Sequence, residues 1–239
     1  MKLSIVVPVY NEAATLAAAV QRILDVPYPC DVEVVVVDDG SIDGTDRVVA
    51  ELPETVVRHQ HPVNRGKGAA VRTGVGIATG DYVIICDADL EYAPTDIPAL
   101  LQPVLAGEAQ VVFGTRTFGS HTAYSFWYVV GNWAVTMVAN VLFNAWLSDL
   151  ETCFKLMPLE LYRQLDLRQE GFGVEPEITA KLLRRGIRPF EVPITYRARS
   201  REEGKKLTWQ DGAQALWILA RIRFAGPARP TRRGVASGA

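Results

Sequence analysis

Cysteine is scarce in this 239-residue chain, with only Cys30, Cys86 and Cys153. An odd number with no metal-ligand spacing leads us to expect reduced, buried thiols in a cytosolic protein. Net charge is nearly absent as well, at -2, which removes any electrostatic reason to expect nucleic acid as a partner. No linker rich in Gly, Ser or Pro divides the chain and no internal repeat appears, so one domain is expected. The N-terminus passes from Lys2 straight into Leu3-Ser4-Ile5-Val6-Val7-Pro8. That run has the length of a strand and lacks a small-residue cleavage site, which argues against a signal peptide.

Two further absences are local. Residues 122–148 contain no charge, a length that raises the question of a membrane span. Gly131, Asn132, Asn140 and Asn144 lie inside the run, and its tryptophans are scattered rather than confined to the ends. One or two helices lying in a membrane interface fit better than a span, with a buried core helix as the alternative. From Arg221 onward there is no acidic residue, while Arg221, Arg223, Arg229, Arg232 and Arg233 are present. Residues 221–239 therefore read as a flexible basic tail, which anionic lipid would attract.

What is present is an alternation of strand and helix patterns. Leu3–Pro8, Val32–Val37, Val56–Val57, Asp81–Cys86 and Val111–Gly114 read as strands, and the first two carry the β-branched runs of buried parallel strands. Helices are expected over Ala13–Leu24, with Asn11 as its cap, and over Asp43–Glu51, Gly66–Ala78 and Pro94–Leu105. Further on, Cys153–Met157 and Arg188–Ile194 read as strands, and Glu175–Arg185 and Leu207–Ala220 as helices. The expected class is α/β, with a mostly parallel sheet flanked by helices.

In such sheets ligands bind beyond the carboxyl ends of the strands. Four polar clusters follow strands directly: Pro8-Val9-Tyr10-Asn11-Glu12, Asp38-Asp39-Gly40-Ser41, Asp87-Ala88-Asp89 and Gly114-Thr115-Arg116. Strand alternation would point Asp87 and Asp89 the same way, and two hard carboxylates suit a divalent cation completed by phosphate and water oxygens. Gly66-Lys67-Gly68 opens a helix, so free N–H groups and Lys67 are expected to face an anion. Val71 stands where a dinucleotide fingerprint needs its last glycine, which excludes that reading.

Val6-Val7-Pro8-Val9-Tyr10-Asn11-Glu12, Val36-Val37-Asp38-Asp39-Gly40-Ser41-x-Asp43-Gly44-Thr45, Asn64-Arg65-Gly66-Lys67-Gly68 and Asp87-Ala88-Asp89 together resemble the family 2 glycosyltransferases. Within that family, Gly114-Thr115-Arg116, Asp149-Leu150-Glu151-Thr152-Cys153-Phe154-Lys155 and Arg197-x-Arg199 with Glu203-Gly204-Lys205-Lys206 are most similar to polyprenyl-phosphate (dolichol-phosphate-type) mannosyl- and glucosyltransferases. The Gln-x-x-Arg-Trp motif of processive polysaccharide synthases is missing, which argues against polymerisation.

The resemblance implies a GT-A fold: a single catalytic domain over residues 1–220, with a nucleotide-sugar-binding half (1–120) and an acceptor half (121–220). It implies that Pro8, Tyr10, Glu12, Asp38 and Asp39 bind the nucleoside. Asp87 and Asp89 would hold Mg2+ or Mn2+ and the diphosphate. Arg116, Arg199 and Lys205 would hold phosphate groups of acceptor or donor. The expected reaction inverts a hexose from a GDP-mannose- or UDP-glucose-type donor onto a polyprenyl phosphate, with the protein peripheral on the cytoplasmic face of the membrane. The oligomeric state stays open, a homo-oligomer included. Transfer to a hydroxyl acceptor is the alternative. It would need a carboxylate base, for which Glu177, Glu175, Asp149 and Glu151 are available.

Overall fold

Strands β1 (Lys2–Val9), β2 (Asp31–Asp38) and β4 (Tyr82–Ile85) are almost wholly buried along their inner residues, as continuous apolar runs require of a sheet covered on both faces. The computed structural model describes residues 1–121, 126–198 and 209–226. Side chains alternate across the sheet with period two. Leu3, Ile5, Val7 and Val9, with Val34, Val36 and Ile84, face one core, closed by α1 (Leu16–Leu24), α2 (Thr45–Glu51) and α4 (Ile97–Leu105). Val6, Val35, Val37, Val83 and Ile85 face the other, against α3 (Lys67–Ile77), α6 (Leu159–Gln164) and α7 (Val174–Arg184).

With β3 (Val56–Gln60), β5 (Val112–Thr115), β6 (Lys155–Pro158) and β7 (Phe190–Pro193), the sheet has seven strands in the order β3-β2-β1-β4-β6-β5-β7. Only β6 runs against its neighbours, antiparallel to both β4 and β5. Its N-terminal end therefore lies at the edge where β1, β2, β4, β5 and β7 end. The segment before β6 and the segment after β7 both reach the ligand edge for this reason.

A third, smaller core joins α5 (Phe126–Phe143), α7 and α8 (Trp209–Phe224) through Val135, Ala139, Phe143, Ala180, Leu183, Ala215 and Leu219. The charge-free stretch thus forms one helix, buried along Val135, Thr136, Ala139, Asn140 and Phe143. The side chain of buried Asn140 donates to Leu147 O and accepts from Leu147 N, both at 2.8 Å, which secures the turn after α5.

Several expectations are corrected. Asn11 does not cap α1, whose N-cap is Thr15; Asn11 sits at φ 54 and accepts from Ile42 N instead. Residue 221 is no boundary, because α8 continues to Phe224. Arg221 stacks on Trp217 and Arg223 donates to Leu142 O, while residues 227–239 lie outside those described. Helix α6 went unread because six residues are too few for a helical period to register.

Gly68 and Gly76 both lie in α3 and give opposite expectations. Alanine in an open helix gains about 0.5–1 kcal/mol over glycine. At Gly76 a Cβ meets nothing within 4 Å, whereas at Gly68 it falls 2.2 Å from Gln169 O, and overpacking of this kind costs about 1–3 kcal/mol. Thermal unfolding is expected to show a raised Tm for Gly76→Ala and a lowered one for Gly68→Ala.

Candidate active site

A cavity of about 380 Å³ opens at the carboxyl edge of the sheet, within the range of ligand pockets. Pro8, Tyr10 and Glu12 follow or end β1, Asp87, Asp89, Glu91 and Tyr92 follow β4, and Arg116 follows β5. Glu151 and Cys153 precede β6, and Tyr196 follows β7. Asp39, Lys67 and Glu175 complete the polar lining. Among the described residues, seven acidic side chains and two basic ones line this wall.

Asp87 and Asp89 meet through a turn rather than through strand alternation. Strand β4 ends at Ile85, and the chain turns at residues 88–89, with Leu90 held at φ 63. A non-glycine residue in the left-handed region is a strained feature of the kind that clusters at functional sites. Burial, followed by the carboxylates of Asp87 and Glu91, pushes the Asp89 carboxyl up to about 7. A cation beside it would relieve that repulsion. No group of three or more His, Cys, Asp or Glu among the described residues could hold a metal. A divalent ion here would thus take Asp87 and Asp89 and need ligand and water oxygens for the rest. The residues fit that requirement.

Lys67 is the basic neighbour of this pair. Its Nζ lies 2.7 Å from Asp87 Oδ2 and 3.6 Å from Glu175 Oε1. Burial works against its charge, but Asp87 and Glu175 more than offset this and hold its pKa well above the ordinary lysine value. Glu175 in turn meets Lys155 Nζ at 2.6 Å. Lys155 itself is fully buried, also donates to Leu150 O and does not line the cavity.

The anion-cradle reading of Gly66-Lys67-Gly68 is corrected too. Gly68 N and Ala69 N donate to Glu170 O, and a Cβ at either glycine would strike the backbone of residues 169–170. The glycines admit the 168–171 segment rather than an anion. Glu177 holds that segment, accepting from Arg168 N and Gln169 N and pairing with Lys181 at 2.7 Å. It does not line the cavity, so its reading as a catalytic base is corrected: its carboxylate is taken up by the loop and by Lys181.

Arg116 is gripped by Asp149. Its Nε and Nη2 donate at 2.6 and 2.8 Å, its backbone N at 3.1 Å, and its guanidinium lies 4.9 Å from the centre of the Tyr196 ring. The Tyr196 hydroxyl donates to Glu91, and the Tyr92 ring packs at 5.2 Å from Tyr196. Burial, opposed in part by Lys155, pushes the Glu151 carboxyl up to about 7. Sequence reasoning missed Glu91, Tyr92 and Tyr196; the first two directly follow the acidic pair, and nothing local marks Tyr196.

The second acidic pair divides. Asp38 is fully buried and outside the cavity wall, with its carboxylate accepting from Ser41 and Gln60. Asp39 reaches the wall while accepting from His61 Nδ1, Arg65 N and Gly66 N. Arg199 and Lys205 lie outside the described residues.

The pattern of the Glycosyl transferase family 2 model matches residues 4–164. A Micrococcus luteus protein named undecaprenyl-phosphate mannosyltransferase is 30% identical over 217 residues, covering 86% of this chain and 87% of that protein. A Pyrococcus furiosus dolichol-phosphate mannosyltransferase is 30% identical over 213 residues, 86% of this chain and 59% of that protein. The chain likewise spans 62% of the Haloferax volcanii glycosyltransferase AglJ, with 30% identity. Among solved structures, glucosyl-3-phosphoglycerate synthase of Mycobacterium tuberculosis in complex with Mn2+ and UDP-glucose superposes with a TM-score of 0.68 at 24% identity, covering 93% of this chain and 78% of that one. That likeness bears on the fold, and the α/β architecture expected from the sequence is the GT-A architecture observed. With residues 4–164 matched by the family model and the polar clusters gathered on one sheet edge, the chain belongs to glycosyl transferase family 2.

Proposed function

We propose that the protein is a metal-dependent, inverting glycosyltransferase that moves a hexose from a nucleotide-sugar of the GDP-mannose or UDP-glucose type to a polyprenyl phosphate. The carrying observation is the acidic cavity wall. Seven carboxylates and two cations among the described lining residues would repel a nucleoside diphosphate unless a cation entered with it. Asp87 and Asp89 would hold that cation, Mg2+ or Mn2+. Bound there, it would neutralise the charge that develops on the leaving diphosphate. The Mn2+ complex of the mycobacterial synthase supports a metal in this fold.

Reaction is a single in-line displacement. The acceptor oxygen bonds to the anomeric carbon as the bond to the diphosphate oxygen breaks, and configuration inverts. Pro8, Tyr10, Glu12 and Asp39 would seat the nucleoside, with Asp38 shaping the turn beneath. Arg116, aligned by Asp149, would orient an acceptor phosphate, joined by Arg199 and Lys205. A phosphate oxygen is already ionised near neutral pH, so no general base is required of the chain.

The acceptor's lipid would lie along α5 and α8. Trp127 is 76% exposed, Trp146 79%, and Phe126, Trp133, Val141, Trp217 and Phe224 are also exposed. Aromatic side chains next to Arg221 and Arg223 suit an interface with anionic lipid. Helix α5 is long and apolar enough to cross a membrane, but over a quarter of it is buried against the domain, which favours peripheral attachment, on the cytoplasmic face.

One observation favours a hydroxyl acceptor instead: Glu151 lines the cavity with its carboxyl near 7, the range of a general base. The two readings separate in one assay. Lipid-linked sugar is expected when the protein is incubated with nucleotide-sugars, Mg2+ or Mn2+ and a polyprenyl phosphate. Its absence, with transfer to a glycan or soluble acceptor, would establish the alternative. Asp89→Ala is expected to lower kcat by about 100-fold or more with Tm unchanged or raised, because a crowded carboxylate is removed.

Replacing Trp127, Trp133 and Trp146 together with alanine is expected to weaken flotation with anionic vesicles by at least about tenfold; undiminished flotation would count against the lipid-facing helices.

The Glu151 carboxyl also sets a pH dependence. Its folded pKa of about 7 stands above the ordinary 4.5, so its contribution to stability is full below pH 4.5 and is lost as pH rises through 7. Glu151→Gln should therefore melt above the wild type at pH 8, with the gap closing towards pH 4.5.

A further inference from the structure

We propose that Lys67 is a placeholder for the metal ion: its ammonium neutralises Asp87 while the site is empty and yields that carboxylate when the cation arrives. The inference rests on the reading of Asp87 as a metal ligand and goes beyond it. Lys67 stands at the first turn of α3, where Gly66 and Gly68 let residues 169–170 close over the backbone. The side chain is only 15% exposed. Its Nζ donates to Asp87 Oδ2 at 2.7 Å and has Glu175 Oε1 at 3.6 Å on its other side.

That second partner makes a handover feasible. Glu175 Oε1 has no hydrogen bond within the described site, while its other oxygen is fixed by Lys155. A shift of under one ångström would convert the 3.6 Å approach into a hydrogen bond, so Lys67 can leave Asp87 without losing a carboxylate partner. Without Lys67, Asp87 and Asp89 would face each other across a partly buried wall with no compensating charge. With Lys67 on Asp87, a divalent ion must displace a charge-assisted hydrogen bond and meet a like charge nearby. Free metal should therefore bind weakly. Metal arriving with a diphosphate should bind well, because the displaced ammonium gains a phosphate oxygen to meet.

The test is titration of the whole protein with Mn2+ alone, followed by its electron paramagnetic resonance signal, and then with UDP and GDP at saturating Mn2+. Lys67→Met removes the competing charge; Lys67→Gln does so while keeping a donor for Asp87. Each is expected to bind free Mn2+ about tenfold more tightly than the wild type, while the affinity for the nucleoside diphosphate stays level or falls. Metal affinity that is unchanged or weaker overturns the proposal, as does nucleotide affinity that rises together with it. Failure of both variants to fold also overturns it, since Lys67 would then be a structural ion. A wild type that binds no Mn2+, even with nucleoside diphosphate, would instead remove the metal reading beneath it.

Discussion

A row of alternating charges, Asp87–Lys67–Glu175–Lys155, joins the two halves of the molecule. Asp87 comes from the end of β4, Lys67 from the start of α3, Glu175 from α7 and Lys155 from the start of β6. Glu175 and Lys155 are buried and Lys67 and Asp87 half-buried, which is tolerable only when each has its partner, because a single unpaired charge left buried costs about 3–5 kcal/mol. Relative placement of α3 and β4 against β6 and α7 is therefore constrained to a geometry that keeps the row intact. Hydrogen bonds from Lys155 Nζ to Leu150 O extend the same constraint into the loop that carries Glu151.

The reversal of β6 makes that row possible. Had β6 run with its neighbours, Asp149, Glu151 and Lys155 would lie at the opposite edge, and Arg116 would lose the carboxylate that aligns it. Because β7 is parallel to β5, Tyr196 returns to the ligand edge and packs over the same guanidinium. Arg116, at the end of β5, is thus held from both neighbouring strands, by Asp149 ahead of β6 and by Tyr196 after β7. Arg suits this position better than Lys would, because an ammonium could not make the two-point bond to Asp149.

How much of this was legible in the sequence depends on the range of the forces involved. Strand runs such as Val34–Val37 carry their burial in their own composition, and Asp87, Asp89 and Arg116 are marked by position directly after such runs. Asp38 and Asp39 look equivalent as a dipeptide, yet alternation sends Asp38 into the turn and Asp39 to the wall. The glycines at 66 and 68 look like an anion cradle, since nothing local tells that the 169–170 backbone approaches them from a hundred residues away. Glu177 reads as a free helix-terminal acid until Arg168 N and Gln169 N are seen to take it. For the glycines and for Glu177 the missing information was a partner distant in the sequence, not a propensity.

The acidity of the cavity is the remaining constraint, and it bears on the order of events. On the proposed function, an anionic donor would meet seven carboxylates and two paired cations among the described lining residues. Both cations among the described lining residues are already committed, Lys67 to Asp87 and Arg116 to Asp149, so neither offers a free positive charge to an incoming diphosphate. On that reading, positive charge would come with the ligand as a metal complex. Entry of a metal–nucleotide complex would free Lys67 at the moment it is needed, while Arg116, with its two-point hold on Asp149, would stay in place for the acceptor. On the proposed function, such a site would favour the donor first and the acceptor second, because only the donor would bring the cation that makes the cavity habitable for another anion.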